Sequence, residues 1–121
     1  MPLQAVSMAV VMTLFVAACS GTGSEPKAAS GKQTSQLHCV ALAMYWEAKA
    51  EGDAGMLAVG QVVMNRVVHA EFPTTPCAVV KQGGERPPCQ FSWWCDGKSD
   101  EPTELEHWQR ANELALSLIH I

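Results

Sequence analysis

Two clusters of side chains in this chain have types and spacings that could do chemistry. The first is Tyr45-Trp46-Glu47-Ala48-Lys49-Ala50-Glu51-Gly52, two carboxylates four residues apart beside two aromatic rings. On a helix advancing about 100° per residue, Glu47 falls about 20° from Val40, at the margin of an apolar stripe. Glu51 falls between Val40 and Met44, over the buried side, unless the helix ends before it. A carboxyl at such a margin has its ionised form disfavoured and can keep a proton near neutral pH. That is what a general acid for glycosidic cleavage requires. The plain alternative is a solvated helix end that Glu47, Lys49 and Glu51 merely decorate.

The second cluster is Cys89-Gln90-Phe91-Ser92-Trp93-Trp94-Cys95-Asp96-Gly97-Lys98-Ser99-Asp100. Phe91, Trp93 and Trp94 could stack on sugar faces, while Gln90 and Asp96 hydrogen-bond hydroxyls. The competing role for these aromatics is cover for the helices. Asp96 and Asp100 lack EF-hand spacing and a closing glutamate, so a Ca²⁺ loop does not fit. Asn65-Arg66 falls mid-helix, where structural hydrogen bonding is the default.

The elements that must position these clusters can be read from periodicity. Leu37, Val40, Ala41, Met44, Tyr45 and Ala48 form one helical stripe. Gly52 supplies a stop, and Asp53 can cap a second helix over about 54–69, with Met56, Val59, Val63, Met64 and Val67 inward. Residues 71–77 hold two prolines and are expected to be irregular, and residues 81–101 to be a loop. Pro102 and the box Thr103-x-x-Glu106 open a third helix, with Leu105, Trp108, Ala115, Leu116 and Ile119 available for burial. No strand is convincing.

The chain of 121 residues has a net charge of -4 and no basic cluster, which argues against sequence-independent nucleic-acid binding. Its 48% hydrophobic content is inflated by the start of the chain. Residues 8–18 are an apolar run that suits a signal peptide and is too short to span a bilayer. That run ends in Val16-Ala17-Ala18-Cys19-Ser20, which resembles a bacterial lipobox, although residues 1–8 carry no Lys or Arg. The expectation is a leader over 1–18, a lipidated Cys19 and a flexible tether to residue 36. Ser20 in place of Asp points to outer-membrane sorting, on the periplasmic face. An ordinary cleaved leader is the alternative. Residues 20–36 contain nothing large and apolar, and would reach roughly 20–25 Å as a free coil.

Cys39, Cys77, Cys89 and Cys95 remain, an even number that favours disulfides in an exported chain. Three pairings are open. Cys89–Cys95, closing a short loop, with Cys39–Cys77 is the favoured one. A zinc site from Cys89, Cys95 and His107 lacks any CxxC spacing. A peptidase pair of Cys39 with His69 or His107 would take Cys39 from its bridge. No metal and no cofactor is expected.

Taken together, Ala43-Met44-Tyr45-Trp46-Glu47-Ala48-Lys49, Gly60-Gln61-Val62-Val63-Met64-Asn65-Arg66-Val67, Phe72-Pro73, Cys77-Ala78-Val79-Val80 and the run from Gln90 to Asp100 resemble the SleB/CwlJ cell wall hydrolases over roughly residues 38–112. The resemblance implies a small lysozyme-like domain, mainly α to α+β. It also implies cleavage of the β-1,4 bond between N-acetylmuramic acid and N-acetylglucosamine, as in relatives that act as lytic transglycosylases with one glutamate. Carried onto this chain, that glutamate is Glu47, with Glu51 in reserve. Lys49 and Ala50 stand where Arg and Gly are usual. Tyr45, Gln90, Phe91, Trp93, Trp94 and Asp96 are the expected glycan contacts. Residues 37–121 then form the catalytic domain. Ser117-Leu118-Ile119-His120-Ile121 does not match the aromatic-, His- and Asn-rich segment expected there, so the expectation is a domain incomplete at its C-terminus. The implied partners are peptidoglycan strands and, through the lipid, a membrane; oligomeric state is left open. A non-catalytic peptidoglycan-binding lipoprotein and a purely structural one are the rival readings.

Overall fold

The computed structural model describes residues 27–119, with side chains from residue 34 onward. The expected leader and the lipidated Cys19 lie outside these residues. Four α-helices follow one another: α1 (Lys27–Ala48), α2 (Gly52–Val67), α3 (Pro76–Val80) and α4 (Leu105–Ile119). A turn of 3₁₀-helix, Lys49–Glu51, joins α1 to α2. No strand occurs among the described residues, so the architecture there is all-α. None of the described helices is long and apolar enough to cross a membrane.

The first correction concerns the tether. Residues 27–36 continue α1 instead of forming a coil. Their composition supplies no apolar stripe, but nucleation is the costly step in a helix. Once residues 39–48 are packed, each further residue adds one hydrogen bond. The second concerns α3. Pro76 sits in its first turn, where the missing N–H costs nothing, and Thr75 caps it by accepting a hydrogen bond from Ala78 N–H. Proline there starts a helix, where an irregular segment was expected.

Helix α1 is the central element. Val40, Ala41, Ala43, Met44 and Tyr45 have no exposed surface, and Cys39, Leu42 and Ala48 are buried too. Burial on all sides over 39–45 reflects enclosure by α2, α3, α4 and the 91–95 turn. Met56 and Val63 of α2, Val79 and Val80 of α3, and Ala111, Leu114 and Ala115 of α4 complete the core with Phe91 and Trp93. Gly60 lies where α2 crosses the others, facing the side chains of Met44 and Leu118. The chain turns from α1 into α2 at Gly52, whose φ of 74° favours glycine.

Two disulfides staple this frame, in the pairing favoured from sequence. Cys39–Cys77 ties α1 to α3, with Cα atoms 5.1 Å apart. Cys89–Cys95 closes the aromatic turn, with Cα atoms 6.1 Å apart.

The start of α4 is held differently from the expected capping box. Tyr45 Oη accepts hydrogen bonds from the backbone N–H groups of Thr103 and Glu104, at 3.2 and 3.1 Å. The Glu104 side chain pairs with Lys49 instead, at 2.7 Å. Tyr45→Phe leaves those two N–H groups without the acceptor. It is expected to cost about 1–3 kcal/mol, read from a lower urea midpoint at unchanged slope.

Asp53 likewise does not cap α2 with its side chain. It forms a two-pronged pair with Arg110 of α4, and Arg110 also binds Glu113. These pairs are solvent-exposed and add orientation more than stability.

Candidate active site

Glu47 sits in the last turn of α1 and is exposed. The semi-apolar margin expected for it is not realised: its neighbours Trp46 and Ala48 pack into or against the core, while Glu47 itself is exposed. Glu51 is also exposed. The helix has changed to 3₁₀ by that point, which carries Glu51 off the buried stripe. It folds over Gly55: a β-carbon there would lie 2.5 Å from Glu51 Cβ and 2.8 Å from its Oε2. Only glycine leaves room for this carboxylate.

Lys49, the basic residue of the motif, is engaged away from both acids. Its ammonium lies 2.7 Å from Glu104 and over the rings of Tyr45 and Trp46, at 4.7 and 5.1 Å. The Glu104 hydrogen bond raises the pKa of Lys49, and the same bond lowers that of Glu104. Trp46 Nε1–H donates to the Asp100 carbonyl at 3.0 Å, linking the end of α1 to the aromatic loop.

Three of the expected glycan contacts are core residues. Tyr45 is fully buried, with its hydroxyl occupied at α4, because the stripe that predicts the helix includes it. Phe91 and Trp93 are 7% exposed and pack against the helices, since a turn of this length must turn its bulky rings inward to close the core. Trp94 is half-buried, and Gln90 and Asp96 are exposed. Asp96 accepts a hydrogen bond from Lys98 N–H at 2.8 Å, so it shapes the turn. Trp94 is thus the aromatic left for a ligand.

Trp94 lines a hollow of about 400 Å³ with His38, Leu42, Lys81, Ser99 and Asp100. At about 100° per residue, Glu47 lies about 180° from His38 and about 140° from Leu42 around α1. The catalytic candidate and the aromatic hollow therefore occupy opposite faces of one helix. A second hollow, of about 450 Å³, lies where α2 begins and includes Gly52, Asp53, His107 and Arg110. No group of three or more His, Cys, Asp or Glu among the described residues is arranged to hold a metal ion.

Burial, reinforced by the charge of Asp96, holds the Asp100 carboxyl above the ordinary aspartate range. A raised folded pKa means that the native state binds this proton more tightly than the unfolded chain. Stability from this group is therefore lost as pH rises through the ordinary range to the folded value. Asp100→Asn should raise Tm at pH 7 by less than about 5 °C and leave it unchanged at pH 3, as calorimetry would show.

Arg66 is a residue that sequence reasoning undervalued. Its guanidinium lies 5.1 Å from the Phe72 ring and 5.9 Å from the Phe91 ring, so it bridges α2 to the segments after it. The Asn-Arg pair carried a usable signal. An arginine mid-helix before two aromatic segments suits stacking. Its neighbour Asn65 accepts a hydrogen bond from Gln61 on the exposed side of α2.

A family model described as Cell Wall Hydrolase matches residues 50–119, more than half of the chain. The match begins after Glu47 and includes Glu51, Arg66 and the whole aromatic turn. No curated protein and no solved structure matches the chain.

Proposed function

The chain belongs to the cell wall hydrolase family, and we propose that it cleaves peptidoglycan glycan strands as a lytic transglycosylase with Glu47 as its acid and base. Membership of the family makes peptidoglycan the substrate class and hydrolase-type degradation the activity. The observation that carries the finer reading is the motif Tyr45-x-Glu47-Ala48-Lys49, whose glutamate stands at a helix end open to a large substrate.

Glu47 donates a proton to the glycosidic oxygen as the bond from C1 of N-acetylmuramic acid breaks, and its electron pair leaves with that oxygen. The Glu47 carboxylate then takes the proton from the 6-hydroxyl of the same sugar, whose oxygen closes on C1. The products are a free 4-hydroxyl and a 1,6-anhydromuramoyl end, and Glu47 is again protonated. A two-carboxylate hydrolysis would need a second acid about 5–10 Å away, facing the same bond. The resemblance of the motif to lytic transglycosylases that use one glutamate supports the single-acid route. Lipid attachment at Cys19, on the periplasmic face of the outer membrane, is part of this proposal, as are a lysozyme-like fold and a leader over 1–18.

Digestion of purified sacculi followed by mass spectrometry tests the reaction. Muropeptides ending in 1,6-anhydromuramic acid are expected. Reducing ends alone would replace transglycosylation by hydrolysis.

The placement of Trp94 away from Glu47 favours a second reading, a non-catalytic glycan-binding lipoprotein. Pelleting with sacculi without product release would select it.

A further inference from the structure

The Trp94 hollow does not end at the aromatic turn. It shares His38, Cys39 and Lys81 with a neighbouring depression of about 550 Å³ that runs along the Cys39–Cys77 bridge. Together they make one trough across the face of α1 opposite Glu47. Each half lies within the size range of small-molecule sites.

Its chemistry is mixed. Trp94 offers the flank of an indole, and Leu42 an apolar floor. Lys81, His38, Ser99 and Asp100 complete the lining; the His38 ring also meets Trp108 edge-on, and Ser99 Oγ accepts a hydrogen bond from Glu101 N–H. Donors and acceptors of both signs around one aromatic plate suit an uncharged, hydroxyl-rich ligand carrying amides. A strongly anionic ligand would meet Asp100 and Glu101, and a strongly cationic one Lys81. Lys81 is exposed, and its ammonium lies 5.0 Å from the Trp94 ring. A cation–π contact at an exposed site is weak, so the flexible lysine can leave the ring and hydrogen-bond an arriving ligand.

We infer that this trough is a second saccharide site, which holds N-acetylhexosamine units of a glycan strand other than the segment presented to Glu47. The inference rests on peptidoglycan being the substrate class. Because the trough and Glu47 lie on opposite faces, a strand seated on Trp94 is held while a different segment is cut. The trough is thus an anchoring site on the polymer, separate from the reacting bond.

The test uses the full chain carrying Glu47→Gln, with the β-1,4-linked tetramer of N-acetylglucosamine as probe and nuclear magnetic resonance as readout. Saturable shifts are expected at the Trp94 indole N–H and the Ser99 and Lys81 amides, as a set distinct from any at residue 47 or Glu51. Trp94→Ala in that background should weaken binding about tenfold or more, as truncating an aromatic anchor does. Lys81→Ala, at an exposed position, guards against misfolding of the tryptophan variant and should weaken binding about two- to fivefold. Absence of saturable shifts, or shifts confined to the Glu47 face, overturns the inference. Unchanged affinity in a folded Trp94→Ala protein overturns it as well. Binding at the trough by a protein that releases nothing from sacculi would defeat the catalytic reading alone. Release without trough binding would defeat this inference alone.

Discussion

Glu47→Gln is expected to lower glycan-strand cleavage by about 10²–10⁴-fold, the range that removal of a positioned general acid produces. The substitution keeps the size and the hydrogen-bonding reach of the side chain and removes its transferable proton. Both half-reactions need the carboxyl, first to give its proton to the departing oxygen and then, as carboxylate, to take the proton of the 6-hydroxyl. Glu51→Gln is the comparison. Glu51 lies within the family match, and its side chain passes close to Gly55. If Glu51 supports the site without transferring the proton, its loss should cost far less than that of Glu47. The measurement is release of soluble muropeptides from sacculi over time, with circular dichroism to show that both variants fold. Equal rates for wild type and Glu47→Gln would end the assignment. A loss confined to Glu51→Gln would move the acid to Glu51.

Replacing Cys39 and Cys77 by alanine is expected to be the most damaging change to stability. The bridge spans 38 residues of sequence, which corresponds on the chain-entropy model to about 4 kcal/mol. Small domains have only about 5–15 kcal/mol in total. Tm should fall by about 15–30 °C, or the domain should fail to fold at 37 °C. The Cys89–Cys95 bridge spans 6 residues, for which the same model gives about 2 kcal/mol. Its removal should cost roughly half as much in thermal unfolding. Equal losses from the two pairs would contradict an entropic origin. Their functional consequences should differ too. Cys39 is buried within α1, whereas the 89–95 bridge shapes the turn that presents Trp94.

The helices were legible because the larger apolar residues of α1, α2 and α4 repeat at helical spacing. Tyr45, Met56, Val63 and Ala115 were each placed inward by that pattern, and each is buried. The disulfide pairing was legible in part, because a short Cys89–Cys95 loop leaves one partner for Cys39. Less legible were the ends of elements, where competing contacts decide. Thr103 and Glu106 have the residue types of a capping box, yet Tyr45 Oη, from a helix more than fifty residues away in sequence, binds the N–H groups there. Asp53 reads as a cap and serves as a partner for Arg110. Residues 27–36 read as a tether and form a helix, because packing beyond them has already met the cost of nucleation.

By itself, the order of residues determined the helix-rich class and the family to which the chain belongs, and it favoured the pairing that the two bridges adopt. It also singled out Glu47, Glu51 and the aromatic turn as places for chemistry. Which of those side chains face solvent was decided only in three dimensions. Phe91, Trp93 and Trp94 are neighbours of similar type, and nothing local separates them. Two are drawn into the core because α1 and α3 leave apolar surface there to be covered, and the third stays on the rim of a trough. The separation of Glu47 from that trough is likewise tertiary. Periodicity places a residue on a face of its own helix, while the neighbours packed around α1 decide which face is core and which is open.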